Sequence, residues 1–365
     1  MRTRAGDDAP VRFVYNSFYG RYSDSPRAVY ERLLGIEGDH SHVWLVGEGH
    51  EHGFPAEADT VTIGSEECRA ALEGADAVVS NTYLEVDWTK RPETVYLQTW
   101  HGTPVKRIHY DAPDIGPENR LALLDVDVAR WDYLLSPNHP STERLRTAFR
   151  YEGTVVETGY PRNDLLLAGD RDRRRADVRA KLGLDDGTTA VLYVPTWRDD
   201  EYYAQDVALG LDVEQFTRSM GEGWCLLPRI HYYMADRFAL PQNDPRVRDV
   251  SYYPDIRDLY LAADVMVTDY SSAMFDFAVT GKPMIFYTYD LAHYRDSVRG
   301  FYFDFIPEAP GPVVETMPAL LDVLSRLDAT QYEYRDRYAT FRELWCHLED
   351  GHATDRVIDL LRAGR

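Results

Sequence analysis

Hydrophobic residues along this chain fall into short runs that alternate with polar segments of helical pattern. The first run, VRFVYN from Val11, is rich in β-branched and aromatic residues. A polar loop follows, and then the segment RAVYERLL, in which apolar residues recur at helical spacing. Ser25 and Pro26 stand where a helix cap and a first helical turn are expected. The pattern predicts a strand, a loop and a helix.

The same alternation continues through both halves of the chain. Further strand-like runs in the first half are HVWLVG, DAVVSN, TVYLQTW, WDYLLSP and GTVVETGYP. Those in the second half are TAVLYVPTW, GWCLLPRIH, VRDVSYY, ADVMVTDYSS and KPMIFYTYD. Strands that alternate with helices are typical of parallel sheets, so the pattern predicts an α/β fold.

A charged helical stretch, RDRRRADVRAKLGL, separates the two halves and is closed by Gly183. The length of 365 residues exceeds that of one typical domain, which has about 100 to 200 residues. We therefore predict two domains, residues 1–170 and residues 171–365, and assign the C-terminal helices to the second.

The charge of the chain restricts its ligands. It carries 61 acidic and 40 basic residues, a formal net charge of −21, which repels nucleic acid and anionic membrane surfaces at long range. Nucleic acid is therefore not expected as a partner, and an anionic ligand must bind where basic residues are concentrated. The three cysteines form no CxxC pair, and no run of about 18 apolar residues occurs. These features predict a cytoplasmic protein.

The first concentration of basic residues is QTWHGTPVKRIHYD, directly after a predicted strand. Ligands in open α/β sheets bind beyond the carboxyl ends of the strands. We predict that His101 is a general base and that Gly102, Thr103 and Lys106 form a loop that binds the acceptor or a phosphate. The alternative is that His101 only hydrogen-bonds a buried backbone carbonyl and that the basic residues are solvated.

A second candidate site is YVPTWRDDEYY, again at the end of a strand. Thr196 and Arg198 offer a hydroxyl and a guanidinium group to a phosphate or to an acceptor group. The alternative reading pairs Arg198 with Asp199 or Asp200 in a surface salt bridge.

A third candidate site is LLPRIHYY, in which Arg229 and His231 are two residues apart. In an extended backbone both side chains lie on one face, where they would suit a diphosphate. A single histidine at such a position is more often structural, and the prediction depends on its agreement with the other motifs.

A fourth candidate site is DVMVTDYSSAMFDFAVTGKPMIFY. A predicted strand ends at Asp269, and Ser271 and Ser272 then stand at the cap and first turn of a helix, where hydroxyl and amide groups converge on a phosphate. Asp276, one turn along that helix, is predicted to accept hydrogen bonds from a ribose. The alternative role of Asp276 is to stabilise the first turn of the helix.

The motifs of several other chemistries are missing from these regions. No HExxH, GxSxG or GxGxxG pattern occurs in them, which leaves phosphoryl chemistry. No cluster of acidic residues has evident metal spacing, so no metal and no cofactor is predicted; a weakly held divalent ion is the alternative.

Taken in order, these motifs resemble those of the CDP-glycerol glycerophosphotransferase family, which includes the teichoic acid primases and polymerases. The segments that carry the resemblance are NSFYGRYSDSP, WHGTPVKRIHYD, WDYLLSPN, GYPRND, PTWRDD, LLPRIH, VTDYSSAMFDFAVTGKPMIFYTYDL and RGFYFDF. The resemblance implies a GT-B-like architecture of two Rossmann-like domains, with the acceptor on the first and the nucleotide donor mainly on the second. The family's histidines map onto His101 and His231, so the resemblance implies that both are catalytic. Its serine pair maps onto Ser271 and Ser272.

The resemblance implies transfer of glycerol phosphate from a CDP-linked polyol donor to a polymer or lipid-linked acceptor in cell-wall or capsule synthesis. Peripheral contact with the inner face of the cell membrane is part of the expectation, although the charge of −21 weakens it. Alternatives with the same fold are a CDP-ribitol phosphotransferase and a nucleotide-sugar glycosyltransferase. A non-catalytic nucleotide-binding subunit is a further alternative.

Overall fold

In a computed structural model, the chain is described over residues 10–112, 118–196, 209–230, 240–241, 244–291, 300–303 and 305–364. Within these residues the strands form two sheets, one of seven strands and one of five, and every pairing inside them is parallel. This confirms the predicted α/β fold with parallel sheets.

The first sheet has the strand order β3-β2-β1-β4-β5-β6-β7. Its strands are β1 (Val11–Asn16), β2 (His40–Val46), β3 (Thr60–Thr62), β4 (Ala77–Ser80), β5 (Val95–Gln98), β6 (Tyr133–Ser136) and β7 (Thr154–Glu157). Successive residues of a strand point to opposite faces, so Phe13 and Tyr15 pack in one hydrophobic core and Val14 packs in another. Helices cover both faces, which explains the nearly continuous apolar runs.

The second sheet has the order β12-β11-β10-β8-β9. Its strands are β8 (Thr189–Val194), β9 (Trp224–Pro228), β10 (Val265–Thr268), β11 (Met284–Tyr287) and β12 (Val313–Val314). Alternate residues of β8 again enter two cores, Leu192 on one face and Val191 on the other.

Helices connect the strands in both halves. They are α1 (Asp24–Leu34), α2 (Glu66–Gly74), α3 (Glu118–Val128), α4 (His139–Phe149), α5 (Asp164–Leu167), α6 (Arg171–Lys181), α7 (Val213–Met220), α8 (Ile256–Ala262), α9 (Ala273–Val279), α10 (Phe305–Glu308), α11 (Met317–Ser325), α12 (Leu327–Trp345) and α13 (Ala353–Ala363). Short 3-10 helices lie at Glu51–Gly53, His109–Asp111 and Pro161–Asn163.

The last helix returns to the first sheet. Val357, Ile358 and Leu361 of α13 pack in the same core as Phe13 and Tyr15 of β1. The sequence pattern grouped α13 with the second half, whereas its apolar face completes the core of the first. The chain therefore crosses between the two halves twice, once before β8 and once before α13.

The two halves are also joined directly beside the first candidate motif. Lys106 and Phe301 form an antiparallel bridge, in which the Tyr302 amide donates to the Val105 carbonyl (2.9 Å) and the Arg107 amide to the Gly300 carbonyl (3.2 Å). The segment that follows β5 is thus held by backbone of the second half, which fixes its position relative to the second sheet.

The cysteines and the helices bear on the predicted compartment of the protein. Cys68, Cys225 and Cys346 are buried free thiols and form no disulfide with one another. None of the helices in the described residues combines the length and the apolar character that membrane crossing requires.

Candidate active site

The turn after β5 brings the first motif to the carboxyl edge of the first sheet. The Trp100 amide donates to the side-chain oxygen of Gln98 (2.9 Å), and Trp100 has a left-handed backbone with φ of 52°. A left-handed conformation is unfavourable for a bulky residue and is often found at functional sites. This turn determines where His101 is placed.

His101 has a defined tautomer. Its Nδ1 lies 2.6 Å from the Asn81 carbonyl oxygen, and because a carbonyl only accepts hydrogen bonds, Nδ1 carries the proton and Nε2 keeps a lone pair. Burial lowers the pKa of His101 below its ordinary value of 6.5, although the bond to Asn81 and the charge of Asp24 oppose this. A neutral imidazole at pH 7 can act as a base, so the bond to a backbone carbonyl and the base role are compatible.

Gly102 places this turn against the second half of the chain. Gly102 and Thr103 are buried, and a Cβ on Gly102 would lie 2.9 Å from Oγ of Ser272 and 3.4 Å from its Cβ. Glycine therefore permits the close approach of the two halves at this point. The turn that carries His101 therefore lies against Ser272, although the two residues are far apart in sequence.

Ser271 and Ser272 follow β10, as predicted. Ser272 is the N-cap residue of α9 and its side chain makes no capping hydrogen bond, while Oγ of Ser271 accepts from the Ala273 amide (3.3 Å). Both serines are half-buried. Of the two hydroxyl groups, that of Ser272 adjoins Gly102.

Thr196 lies at the same sheet edge. Its amide donates to both carboxylate oxygens of Asp269, at 2.8 and 3.0 Å, and the Tyr270 amide donates to Oδ1 (2.6 Å). Asp269 thus connects the ends of the neighbouring strands β8 and β10. Arg198, the other residue predicted in this motif, lies outside the described residues.

Arg229 follows β9, the strand next to β8. Its guanidinium group donates to the carbonyl oxygens of Val250 (2.7 Å) and Ser251, and burial lowers its pKa. These contacts position the cation at the edge where Thr196 and the serines lie. His231, its predicted companion, lies outside the described residues.

Lys106 is half-buried and belongs to the backbone bridge with Phe301. The bridge fixes its backbone beside the His101 turn. Its predicted contact with a phosphate stays a prediction.

Asp276 has partners that the sequence analysis did not foresee. Both of its oxygens accept from Nη2 of Arg162 at 3.0 Å, and Oδ1 also accepts from Asn163 (2.9 Å). Nη1 of Arg162 donates to both oxygens of Asp24 at 3.2 Å. Asp276 is therefore buried at the contact between the two halves, and its predicted contact with a ribose stays a prediction.

The sequence analysis also missed Asn81. It directly follows β4 in the run DAVVSN, next to β5 in the sheet, so the strand-end rule that identified His101 also applied to it. Its carbonyl group sets the tautomer of His101.

A metal site in a protein is formed by several side chains of His, Cys, Asp or Glu that lie close together. Within the part of the chain that the structure describes, no three side chains of His, Cys, Asp or Glu are grouped as a metal site requires. The expectation of a metal-independent reaction stays a prediction.

The two parallel sheets joined in this way define an α/β protein of GT-B type. A UDP-GlcNAc 2-epimerase from Neisseria meningitidis covers 97% of this chain and 100% of its own with a TM-score of 0.54 at 13% identity, a likeness of fold alone. The wall teichoic acid polymerase TagF reaches a TM-score of 0.88 at 32% identity, over 97% of this chain and 89% of the TagF chain.

The family model for CDP-glycerol:poly(glycerophosphate) glycerophosphotransferase matches residues 7–363, and the chain belongs to this family. The teichoic acid glycerol-phosphate transferase of Staphylococcus aureus (strain NCTC 8325 / PS 47) is 40% identical over 94% of this chain and 90% of its own length. The teichoic acid poly(glycerol phosphate) polymerase of Bacillus subtilis (strain 168) is 35% identical over 95% of this chain, which spans only 48% of that polymerase. The family and the GT-B-like fold that the motifs indicated are confirmed, and the chain is an enzyme.

The contact between Gly102 and Ser272 can be tested by a double-mutant cycle. Gly102→Ala is expected to destabilise the protein by about 1–2 kcal/mol, because the added methyl group overpacks the contact. Ser272→Ala in the same protein should restore most of this loss, which gives a coupling energy above about 0.5 kcal/mol in thermal unfolding. Gly223→Ala is the matched control, since its Cβ would meet nothing within 4 Å. Strictly additive effects would show that the two halves do not touch here.

Proposed function

We propose that this chain transfers glycerol phosphate from CDP-glycerol to a terminal hydroxyl of a teichoic-acid-type polymer and releases CMP. Membership of the family and the similarity to the S. aureus transferase support the reaction. The observation that carries the proposal is the position of His101: a neutral imidazole with a free Nε2 lone pair, adjacent to the turn that touches Ser272.

In the proposed reaction, Nε2 of His101 accepts the proton of the attacking acceptor hydroxyl. The acceptor oxygen forms a bond to the β-phosphorus of CDP-glycerol, and the bond from that phosphorus to the CMP oxygen breaks. The electron pair of the broken bond leaves with CMP. Proton removal from the nucleophile in the transition state contributes about 10²- to 10⁴-fold to such reactions.

The donor side of the proposed site consists of residues at the ends of β8, β9 and β10. Arg229 supplies a cation, and Ser271, Ser272 and Thr196 supply hydroxyl groups to the diphosphate. His231 keeps its predicted catalytic role, in which it holds the diphosphate and offsets charge on the leaving phosphate. Arg198 keeps the donor-binding role predicted from its motif. Cationic side chains then offset the charge that develops on CMP, and we propose that no divalent ion is needed.

The proposed acceptor is a free or lipid-linked polymer, and the proposed location is the cytoplasm, with peripheral contact to the inner face of the cell membrane. The charge of −21 opposes contact with anionic lipids. A local cationic surface or a partner protein would therefore have to deliver the acceptor.

The donor is tested by the nucleotide that is released. Purified protein is incubated with a glycerol phosphate oligomer and CDP-glycerol, CDP-ribitol or a UDP-sugar, with and without EDTA. We expect acceptor-dependent CMP release from CDP-glycerol that persists in EDTA. CMP release only from CDP-ribitol, or release of a nucleoside diphosphate from the UDP-sugar, would replace the proposed donor. Activity that EDTA abolishes and Mg²⁺ restores would contradict the metal-independent reaction.

A further inference from the structure

The turn after β1 has an unusual backbone. Phe18, Tyr19 and Gly20 all have positive φ, at 43°, 58° and 94°. A Cβ on Gly20 would lie 1.9 Å from the Gly47 amide nitrogen, so two loops approach each other closely here. Two successive left-handed non-glycine residues are unfavourable, and such strain often occurs at functional sites. This turn belongs to the motif NSFYGRYSDSP, which lies outside the catalytic and donor-binding residues.

This turn is attached to the same residue that orients the proposed base. The Phe18 amide donates to Oδ1 of Asn81 (2.9 Å), while the backbone oxygen of Asn81 accepts from His101 (2.6 Å). The rings of Phe18 and His101 lie 5.1 Å apart between centroids. The turn therefore packs directly against the imidazole.

Directly after Phe18 the turn carries an aromatic ring and a cation. Tyr19 is 47% exposed, and its ring meets that of Tyr83 edge-on at 6.5 Å between centroids. Arg21 is half-buried, and its Nε donates to Nε2 of His50 (3.3 Å). An exposed ring and a half-buried guanidinium group suit a ligand that has both C–H surface and anionic charge.

Arg21 also acts electrostatically across the contact between the two halves. Burial lowers the pKa of Arg229, Tyr260 and Asp255 raise it, and the positive charge of Arg21 lowers it. The two halves are connected nearby by the ion pair of Arg27 with Asp255 (3.0 Å). In a chain of net charge −21, two cations within electrostatic range of each other favour an anionic ligand near them.

We propose that Tyr19 and Arg21 form the acceptor subsite, which binds the end of a polyol-phosphate chain. The ring of Tyr19 contacts the carbon atoms of the terminal unit, and Arg21 binds the phosphodiester that links this unit to the one before it. The terminal hydroxyl then lies at His101. This subsite rests on the proposed function, because a chain with one phosphodiester per unit is the acceptor of that reaction.

The test compares Arg21→Gln and Tyr19→Asn with the control Arg12→Gln. Arg12 lies near the amino end of β1, at the opposite edge of the sheet, so its substitution removes the same charge away from the proposed subsite. We expect the KM of a glycerol phosphate trimer to rise about tenfold or more in Arg21→Gln, since hydrogen bonds to charged groups contribute on that order. The KM for CDP-glycerol should not change. With glycerol, which has no phosphodiester, Arg21→Gln and the wild type should react alike.

Tyr19→Asn separates binding from folding. Asn tolerates a left-handed backbone better than Tyr, so this variant should have an equal or higher melting temperature and yet a raised KM for the trimer. If Arg21→Gln and Tyr19→Asn both match Arg12→Gln in this KM, the subsite is wrong.

Calorimetric binding of the trimer to the intact protein gives a measurement that does not need turnover. Wild type and Arg12→Gln should bind alike and Arg21→Gln more weakly. If binding differs in this way but no CMP is released, the proposed subsite is supported and the proposed function is contradicted. Equal binding by all three proteins, or none by the wild type, would overturn the subsite alone.

Discussion

Replacing His101 with Asn is expected to lower kcat by about a hundredfold to ten-thousandfold, with the KM for CDP-glycerol nearly unchanged. The Asn amide group can donate to the Asn81 carbonyl as the imidazole does, but its oxygen is far too weak a base to take a proton near neutral pH. The variant therefore removes the proposed base and keeps the local hydrogen bond. Initial rates of CMP release at several donor and acceptor concentrations measure the effect.

His139→Asn is the matched control. His139 is exposed on α4, where it pairs with Glu157 (3.1 Å), and its substitution should leave kcat unchanged. A His101→Asn protein that keeps more than about a tenth of the wild-type kcat would exclude His101 as the general base. A large rise in the KM for CDP-glycerol with unchanged kcat would instead make His101 a donor-binding residue.

The pH dependence of the wild type tests the same assignment. Protonation of His101 removes the lone pair, and burial lowers its pKa below 6.5. The value of kcat/KM should therefore fall toward acid only below pH 6.5, and this limb should be missing from the residual activity of His101→Asn. The unfolded chain binds this proton more readily than the folded protein, so protonation also lowers the stability as pH falls from 6.5 through the folded pKa.

The strand-end rule explains why much of the candidate site could be predicted from the sequence. His101, Thr196 and Ser271 each follow a strand whose apolar run is visible in the sequence, and parallel strands bring these ends to one edge of their sheet. Gly102 marked the turn, although only the structure shows that it adjoins Ser272.

The environment of Asp276 could not be predicted in this way. Its partner Arg162 is 114 residues away, and a charge in a helical first turn has an ordinary local explanation. The position of α13 was hidden for a similar reason. The apolar face that contains Val357, Ile358 and Leu361 predicts a buried helix, but the pattern does not identify the sheet that buries it.

Arg162→Met is expected to destabilise the protein by about 3–5 kcal/mol, because it leaves two carboxylates at the contact between the halves without their cation. The Arg162 side chain is 5% exposed, and those of its partners Asp24 and Asp276 are 9% and 12% exposed. Thermal unfolding of the variant and the wild type at pH 7 measures the loss. Arg32→Met is the matched control: its ion pair with Asp355 is exposed, so it should cost less than about 1 kcal/mol.

The loss of stability in Arg162→Met should depend on pH, because nearby carboxyl groups can be protonated and so lose their charge. Burial raises the pKa of Asp276 and raises that of Glu349 to about 8, and the charge of Arg162 lowers both. When the pKa of a group is higher in the folded state than in the unfolded state, the folded state binds more protons. The stability that such a group contributes therefore decreases as pH rises. Glu349 is already mostly protonated at pH 7 and changes little below it. Removing Arg162 raises the pKa of Asp276 further, and the deficit of the variant should therefore shrink as pH falls from 7 to 5.

The triple variant Arg162→Met, Asp24→Asn, Asp276→Asn separates buried charge from packing. If unpaired carboxylates cause the instability, the two amides should restore at least about half of the lost free energy, because no ionised group stays buried without a cation. An unchanged deficit, together with a loss that is the same at pH 5 and pH 7, would show that Arg162 stabilises the contact through its packed side chain and its ring contact with Tyr160. Its charge would then have no measurable part in joining the two halves.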